Sequence, residues 1–284
     1  MSDLQSLLIV TFYRFLSLPD LDALQAELLG ATRARDLRGT ILLSHEGYNA
    51  ALSGSREAIE SFRDWLQEVH PEMLEGVYFK ESFGTIHPYK RMLVKQRSEI
   101  ITMGIDTIKP DQKTGPRIDP QDLKQWLDED RDFILLDTRN DFEVRTGTFD
   151  RAVDLDLQTF KEFPERLQAL PESVREKPVV MFCTGGIRCE KATAIAMEQG
   201  FKEVYQLEGG IINYFKECEG SHWDGDLFVF DERFAINPKR LQSATTLCVR
   251  CRNPYPELSS ATTWSEFPPC PHCGYGEDAE LTAG

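Results

Sequence analysis

Residues 178–188 read Pro-Val-Val-Met-Phe-Cys-Thr-Gly-Gly-Ile-Arg, an apolar run that ends in a short polar loop. The run predicts a buried strand, and residues 190–197 have the composition of a helix. Such a loop directs backbone N–H groups and a helix N-terminus at the sulfur of Cys183, and Arg188 adds a positive charge. These groups favour a thiolate, so we expect a nucleophile at a strand end. The alternative is a buried structural cysteine, for which two adjacent glycines and an arginine are poor neighbours.

The segments around this loop alternate between strand and helix patterns. Short apolar strands are expected at residues 133–137, 179–183 and 203–207. A helix is expected to open at Asp119, an N-cap candidate followed by a proline in the first turn. The alternation predicts a parallel α/β sheet, whose ligand sites lie at the carboxyl ends of the strands.

The first hundred residues predict a different architecture. Strands are expected at 7–15 and 39–43, and helices at 20–29 and 56–69. Two further strands are expected at 77–80 and 92–95. This order is close to βαββαβ and predicts a small α+β sandwich of ferredoxin-like (acylphosphatase-like) type. Residues 109–116 are rich in residues that end regular structure, and we interpret them as a linker.

The C-terminal part is small and rich in cysteine. Two Cys-x-x-Cys pairs have a spacing suited to one tetrahedral zinc site with four thiolates. They consist of Cys248, Cys251, Cys270 and Cys273. A reduced tail that binds no metal is the alternative. We therefore expect a ferredoxin-like domain at 1–108, a catalytic α/β domain at 117–220 and a cysteine-rich segment at 221–284.

Composition limits the class of protein. The 284 residues carry a formal net charge of −15 and seven cysteines, with no apolar stretch of membrane-spanning length, and we expect no signal peptide. The odd number of cysteines and their pairing favour a reducing cytoplasm, with no membrane partner. The acidic charge opposes a general nucleic-acid binder. One basic cluster could still contact phosphates, although most such clusters are solvated faces. It consists of Lys80, Lys90, Arg91, Lys95 and Arg97.

The length of the cysteine loop distinguishes between two chemistries. Four residues separate Cys183 from Arg188, whereas phosphatase loops of this kind are longer and admit a phosphate. Here the chain resembles the rhodanese family, whose loop has this length and carries its cysteine as thiolate or persulfide. Residues 134–143 and the Gly-Gly turn within 207–211 extend the resemblance, although Thr148 replaces a common histidine. Asp137 and Arg139 in the first of these segments are either structural or catalytic.

Four segments together resemble one family within this group, the bacterial tRNA uridine-34 hydroxylases. They are residues 39–49, 90–100, 183–192 and 228–233. The resemblance implies an oxygen-dependent enzyme that forms 5-hydroxyuridine at the wobble position of the tRNA anticodon loop, with Cys183 essential. It therefore implies tRNA as partner and molecular oxygen as co-substrate. The sequence leaves the tRNA species, the reductant and the oligomeric state open.

The residues indicate how such a reaction could proceed without an organic cofactor. No dinucleotide fingerprint and no set of two histidines and a carboxylate is apparent. We hypothesise that Cys183 adds to C6 of the uracil, which makes C5 electron-rich enough to react with oxygen. Arg188 and the loop amides would hold the thiolate or a substrate oxygen. The rest of the active-site loop is Thr184, Gly185, Gly186 and Ile187.

Several other residues have two interpretations. Cys189 either resolves an oxidised Cys183 or packs in the core. Glu46 and Asn49 either contact the substrate or form a turn. His45 and His87 are expected in loops without a catalytic role, and Cys218 is expected to be structural.

Two functions compete with hydroxylation. A rhodanese-type sulfurtransferase would carry a persulfide on Cys183. An interaction module would only dock partners through its sheet domain and its cysteine-rich tail, but the intact loop from Cys183 to Arg188 disfavours this reading.

Overall fold

The N-terminal domain is a five-stranded sheet with two helices on one face. A computed structural model of the chain describes residues 7–248, 250–255, 270 and 272–275. The elements of this domain are β1 (Leu7–Phe15), α1 (Leu21–Arg33), β2 (Arg38–Ser44), β3 (Gly47–Gly54), α2 (Arg56–Val69), a short 3-10 helix (Pro71–Met73), β4 (Lys80–Gly84) and β5 (Met92–Gln96). The strand order is β4-β1-β3-β2-β5, and only the β2–β5 pair is parallel. The first four strands have the ferredoxin-like order, which confirms the predicted fold.

The two faces of this sheet have different surroundings. Asp20 and Ser55 cap α1 and α2, and the helices bury apolar side chains against Val10, Phe12 and their neighbours. Alternation along β1 turns Thr11 and Tyr13 to the opposite face. That face carries no helix and lies against the second domain.

One predicted strand is displaced. The strand expected at residues 77–80 instead covers Lys80–Gly84. Val77 and Phe79 pack against the helix side of the sheet, where the Phe79 ring stacks on Phe12 with ring centroids 4.3 Å apart. The apolar pattern of residues 77–79 therefore marks core contacts before the strand begins.

The second domain contains a parallel sheet, as predicted, and this sheet has five strands. Its elements are β6 (Arg117–Ile118), α3 (Pro120–Asp128), β7 (Ile134–Asp137), α4 (Asp141–Val144), β8 (Gly147–Phe149), β9 (Val153–Asp154), a 3-10 turn (Phe160–Glu162), α5 (Phe163–Gln168), α6 (Glu172–Arg175), β10 (Pro178–Phe182), α7 (Ile187–Glu198), β11 (Glu203–Leu207) and α8 (Gly210–Cys218). The sheet order is β6-β11-β10-β7-β9. All four strand pairs are parallel. Asp119 caps α3 and Pro120 occupies its first turn, as expected.

The central strand β10 is buried on both faces. Val179 and Met181 pack into one apolar layer, and Val180 and Phe182 pack into the other. Helices cover both sides of such a sheet, so its strands are almost continuously apolar. The loop after β10 therefore emerges from a rigid strand.

The remaining chain returns to the N-terminal domain. Its short strands are β12 (Trp223–Gly225), β13 (Leu227–Phe228), β14 (Ala235–Ile236), β15 (Thr246–Leu247) and β16 (Pro254–Tyr255). The strand β12 pairs with β8, while residue 241 forms a bridge with Phe83 of β4. Arg233 is buried and donates to Ser82 at 2.9 Å. None of the helices in the described ranges has the length and apolar character that a membrane crossing requires.

A buried lysine joins the two domains. Lys191 of α7 lies 2.9 Å from Glu46 in the turn between β2 and β3, and 2.7 Å from Glu99. Its ammonium also donates to the carbonyl of Ile101 at 3.1 Å. This ion-pair network, which we call the Lys191 clamp, fixes the helix that follows the cysteine loop against the N-terminal domain.

Candidate active site

The loop after β10 is shaped by glycine and by the start of α8. Gly186 is the N-cap of α7 and has φ of +93°, a conformation that L side chains rarely adopt. The N–H groups of Ile211 and Ile212 donate to the carbonyls of Cys183 and Thr184 at 3.0 and 3.2 Å. The Gly-Gly turn seen in the sequence therefore supports the cysteine loop directly.

Cys183 is fully buried at the end of β10, where its surroundings favour the thiolate. Burial alone would raise the pKa of the thiol. A hydrogen bond from Cys189, the charge of Arg188 and the N–H groups of Arg188 and Gly186 outweigh burial and lower the pKa of Cys183 to about 5. The Gly186 N–H lies 3.1 Å from the sulfur. The Cys183 side chain is therefore mainly a thiolate at neutral pH, which is the reactive form of cysteine.

Arg188 forms a bidentate ion pair with Glu143 of α4. The guanidinium donates to the two carboxylate oxygens at 2.6 and 2.8 Å, and both side chains are buried. Burial opposes ionisation of Glu143, but Arg188 holds the pKa of this carboxyl below its usual value. Thr184 also contacts Glu143, at 3.3 Å. Glu143 therefore occupies one N–H of each terminal nitrogen of Arg188, and the effect of Arg188 on Cys183 is electrostatic.

Cys189 lies beside Cys183 as a neutral thiol. Burial and the neighbouring thiolate raise the pKa of Cys189 well above its usual value, and Cys189 donates a hydrogen bond to Cys183. Its sulfur lies 3.7 Å from the hydroxyl of Thr138. In this state Cys189 stabilises the first thiolate and is itself a weak nucleophile.

The Asp137–Arg139 pair holds the chain beneath the loop. Both side chains are fully buried and 2.6 Å apart. Arg139 also donates to the carbonyl of Gly147, and Thr148 donates to Asp137 at 2.9 Å. The replacement at Thr148 is thus accommodated by a hydrogen bond, and of the two roles open for Asp137 and Arg139 the contacts favour the structural one.

A cavity of about 510 Å³ lies between the cysteine loop and the uncovered face of the N-terminal sheet. We call it the loop cavity. Cys183, Thr184, Gly185 and Arg188 line one side, together with Ile187. The opposite side is formed by side chains of the N-terminal sheet. They include Thr11, Tyr13, Asn49, Lys80 and Ser82. Cavities of this size hold small ligands, and a nucleoside is of that class.

The structure places Lys80 inside this cavity and away from the protein surface. Only 4% of Lys80 is exposed. Its aliphatic chain lies over Gly185, and its ammonium lies 4.3 Å from the centre of the Tyr13 ring. Burial lowers the pKa of Lys80 to about 7, although Cys183 and Glu190 act in the opposite direction. Lys80 therefore does not share an exposed face with the rest of the basic cluster.

A second cavity of about 710 Å³ adjoins the first, and we call it the outer cavity. Both cavities are lined by Tyr89, Val229, Phe230 and Asp231. Phe230 is 65% exposed, and its ring lies 5.9 Å from the guanidinium carbon of Arg188. An exposed aromatic ring therefore marks the boundary between the two cavities.

The other basic residues of the cluster lie around these cavities. Lys90 and Arg91 are exposed and line the outer cavity. Arg97 is exposed and lines the loop cavity. Lys95 lies half-buried on β5. The cluster is thus divided between the two cavities and β5.

The remaining sequence candidates have defined positions. Glu46 belongs to the Lys191 clamp, while Asn49 lines the loop cavity. His45 bonds to the carbonyl of Leu18 at 2.8 Å, and His87 bonds to Ser53 at 2.9 Å. Cys218 is buried and its thiol contacts the carbonyl of Pro120 at 3.3 Å.

The four cysteines of the C-terminal pairs meet at one point. Their sulfur atoms all lie within 4.8 Å of one another. Cys248 lies 3.7 Å from Cys273, and Cys251 lies 3.7 Å from Cys270. Thiolates at about 2.3 Å from a tetrahedral zinc ion have this mutual separation, so the donor set fits zinc.

Sequence reasoning singles out neither Glu143 nor Tyr13 as a site residue, and it expects Lys80 on a basic face. Glu143 follows Asn140 by three positions and accepts its N–H at 3.1 Å, so a capping-box pattern could have indicated it. Tyr13, which donates to Glu190 at 3.1 Å, lies on a strand with no local motif. The cavity position of Lys80 depends on the packing of two domains and has no local sequence signal.

Comparison with known proteins gives two family matches. Residues 7–100 match the UPF0176 acylphosphatase-like domain, and residues 119–217 match the rhodanese-like domain. A solved rhodanese-like domain from an Anabaena sp. protein is 19% identical, covers 39% of this chain and 80% of its own, and has a TM-score of 0.33.

Curated relatives match nearly the whole chain. A protein of Cupriavidus taiwanensis is 44% identical over 95% of this chain and 97% of its own, and is named tRNA uridine(34) hydroxylase. A relative with the same name in Ralstonia nicotianae is 43% identical over 93% of this chain and 95% of its own. Another in Burkholderia mallei is 42% identical over 93% of this chain and 91% of its own. The similarity therefore includes both domains and the segment after them.

Proposed function

This chain belongs to the tRNA uridine(34) hydroxylase family, and on this basis we propose that it hydroxylates uridine 34 of tRNA to 5-hydroxyuridine. The observation that carries the proposal is Cys183, a thiolate at neutral pH on the wall of a cavity of nucleoside size. The names of the relatives do not favour the sulfurtransferase alternative.

In the proposed reaction, the Cys183 thiolate first adds to C6 of the uracil ring. The sulfur lone pair forms the S–C6 bond, and the C5–C6 π pair moves to give an enolate over C5, C4 and O4. This step involves no change in oxidation state. A thiolate with a lowered pKa is the side chain suited to such an addition.

Oxygen then reacts at C5. The enolate carbon and O₂ form a C5 hydroperoxide with uptake of one proton. A two-electron donor of the dithiol class and two protons reduce it to the C5 alcohol and water. Loss of the C5 proton and of the Cys183 thiolate restores the double bond. In sum, uridine, O₂, two electrons and two protons give 5-hydroxyuridine and water.

We propose that the anticodon loop binds across both cavities. Uridine 34 would enter the loop cavity, and a neighbouring base would stack on Phe230. Exposed aromatic rings beside basic side chains are the usual binding surface for single-stranded RNA. Lys90 and Arg91 at the outer cavity, with Lys95 and Arg97, supply positive charge for the phosphates.

Mass spectrometry of tRNA tests the function. Cells that lack this gene are complemented with the wild type or with Cys183→Ser, and 5-hydroxyuridine is measured in digested tRNA. We expect restoration by the wild type only. Unchanged 5-hydroxyuridine in the deletion strain, with loss of a thiolated nucleoside, would instead establish sulfur transfer.

We also propose that the four C-terminal cysteines hold a structural zinc ion. The 3.7 Å separations of the sulfurs support this assignment. The purified protein should contain about one zinc per chain by elemental analysis, and Cys251→Ser should lose most of it. Cys218→Ser is the control because this buried cysteine lies outside the cluster. Absence of metal from the wild type purified without chelators would contradict the proposal.

A further inference from the structure

Lys80 is a buried cation whose only close attractive contacts are an aromatic ring and the field of a thiolate. It is 4% exposed, and its ammonium rests 4.3 Å from the centre of the Tyr13 ring. Across the described ranges, Lys80 forms no salt bridge within 4.0 Å and no side-chain hydrogen bond, and its ammonium is not one of the fully buried polar atoms without a partner, so it faces the loop cavity. Its charge is influenced by Cys183, Glu190 and Arg117, all at longer range.

Such an arrangement is costly for the folded protein alone. An ammonium that leaves bulk water without an anionic partner loses hydration that no protein group replaces. A methionine would fill the same volume without this cost. A cation kept without a partner at a cavity wall is therefore suited to an anion that arrives with the ligand.

Arg188, the other cation that lines the loop cavity, is committed to Glu143 in the observed geometry. One N–H of each of its terminal nitrogens donates to the Glu143 carboxylate, at 2.6 and 2.8 Å. Lys80 lies over Gly185 on the opposite side of the loop cavity and has free donors. Thr11, beside it, has a buried hydroxyl without a protein partner. These two side chains form a polar wall facing the cysteine loop.

We propose that Lys80 is a catalytic residue that binds the O4 oxygen of the uracil and stabilises the enolate formed when Cys183 adds to C6. The inference rests on the proposed function and names a further residue for it. As the S–C6 bond forms, negative charge moves to O4, where the Lys80 ammonium donates a hydrogen bond. Charge stabilisation of this kind is commonly the largest single contribution to such a step.

The test measures covalent addition separately from hydroxylation. The probe is an anticodon stem-loop with 5-fluorouridine at position 34, and the readout is the rate of the Cys183 adduct on a denaturing gel. We expect Lys80→Met to slow addition by about 100-fold, and Lys80→Arg to restore part of the rate. Lys202→Met is the matched control, since Lys202 is exposed and lines neither cavity; its addition rate at saturating RNA should equal that of the wild type.

Two further measurements separate the alternatives. The dissociation constant of unmodified stem-loop should change less than about twofold in Lys80→Met, because O4 contributes one contact among many phosphate contacts. The alkylation rate of Cys183 by iodoacetamide reports the thiolate itself. An unchanged addition rate in Lys80→Met overturns the inference. If the addition rate in Lys80→Met falls only in proportion to weaker RNA binding or to slower alkylation of Cys183, the inference is overturned as well.

Failure of the inference can be distinguished from failure of the function. If the wild type forms no adduct but restores 5-hydroxyuridine in cells, the proposed function is supported and the role of Lys80 in the addition is contradicted. If the wild type forms the adduct and Lys80→Met forms it equally fast, only the role of Lys80 is wrong.

Discussion

At the scale of single residues, Cys183 and Lys80 have opposite charges within one buried space. Each influences the other: the thiolate raises the pKa of Lys80, although burial lowers it overall to about 7. The other groups that face Lys80 are Glu190, Arg117 and the ring of Tyr13, whose own pKa is raised by burial. Tyr13 therefore stays neutral across the working pH range.

These pKa values predict a bell-shaped pH dependence for adduct formation. Cys183 must lose its proton, so the rate rises as the pH increases through about 5. Lys80 must keep its proton, so the rate falls as the pH increases through about 7. In Lys80→Met the alkaline decline should disappear while the acid limb remains. Stopped samples of the 5-fluorouridine reaction between pH 4 and 9 measure both limbs, and an alkaline decline that persists in Lys80→Met would contradict the assignment.

Residues of the cysteine loop were predictable because their chemistry is local. The spacing of Cys183, Gly186 and Arg188 determines which N–H groups and which charge reach the sulfur. For Lys80, the neighbouring residues in the sequence predict a place in a basic surface cluster. Its position depends instead on the pleat of β4, which turns it to the sheet face that the second domain covers. No local pattern contains that information.

At the scale of elements, the segment between β13 and β14 carries the exposed ring of Phe230. Phe230→Ala should raise the KM for tRNA by about 10-fold with little change in kcat, because stacking of one base contributes about 1–3 kcal/mol. Ile86→Ala is the control, since Ile86 is 70% exposed and lines neither cavity. Steady-state kinetics with tRNA measure both variants, and equal KM values would exclude stacking at Phe230.

The Lys191 clamp connects α7 to the N-terminal domain, and its loss should destabilise the protein. Lys191→Met leaves the carboxylates of Glu46 and Glu99 without their cation, at a cost of about 3 kcal/mol. Lys124→Met removes a more exposed pair with Asp128, and should cost less than about 1 kcal/mol. Urea unfolding measures the difference, and similar values for both variants would show that the clamp adds little.

Elements with strong local signals were predicted closely, and the exceptions have tertiary causes. The helix α3 begins where Asp119 and Pro120 predict it. The helix α7 begins at Ile187, earlier than the helix pattern of residues 190–197 predicts. Gly186 is its N-cap, so the last residues of the cysteine loop already form the first turn of the helix. The strand β4 is displaced because Phe79 is held by stacking on Phe12.

At the scale of the whole molecule, an acidic protein has to bind an anionic RNA. With a net charge of −15, binding depends on where the positive residues lie. Lys90→Ala with Arg91→Ala should weaken tRNA binding and reduce the slope of log K against log salt by about 1.4, from two lost phosphate contacts on single-stranded RNA. Lys202→Ala, an exposed lysine outside both cavities, should leave the slope unchanged. An unaltered slope in the double variant would place the phosphates elsewhere.

The N-terminal sheet also has a protective consequence for the cysteine it covers. A thiolate with a pKa near 5 is the form of cysteine that peroxides oxidise most readily, first to sulfenic acid and then irreversibly. Cys183 is fully buried beside the loop cavity, so a protein thiol or a bulky electrophile has less access to its sulfur than to that of an exposed cysteine. The two-domain architecture therefore limits mixed-disulfide formation at a reactive sulfur, whereas small peroxides that enter the cavity still reach it.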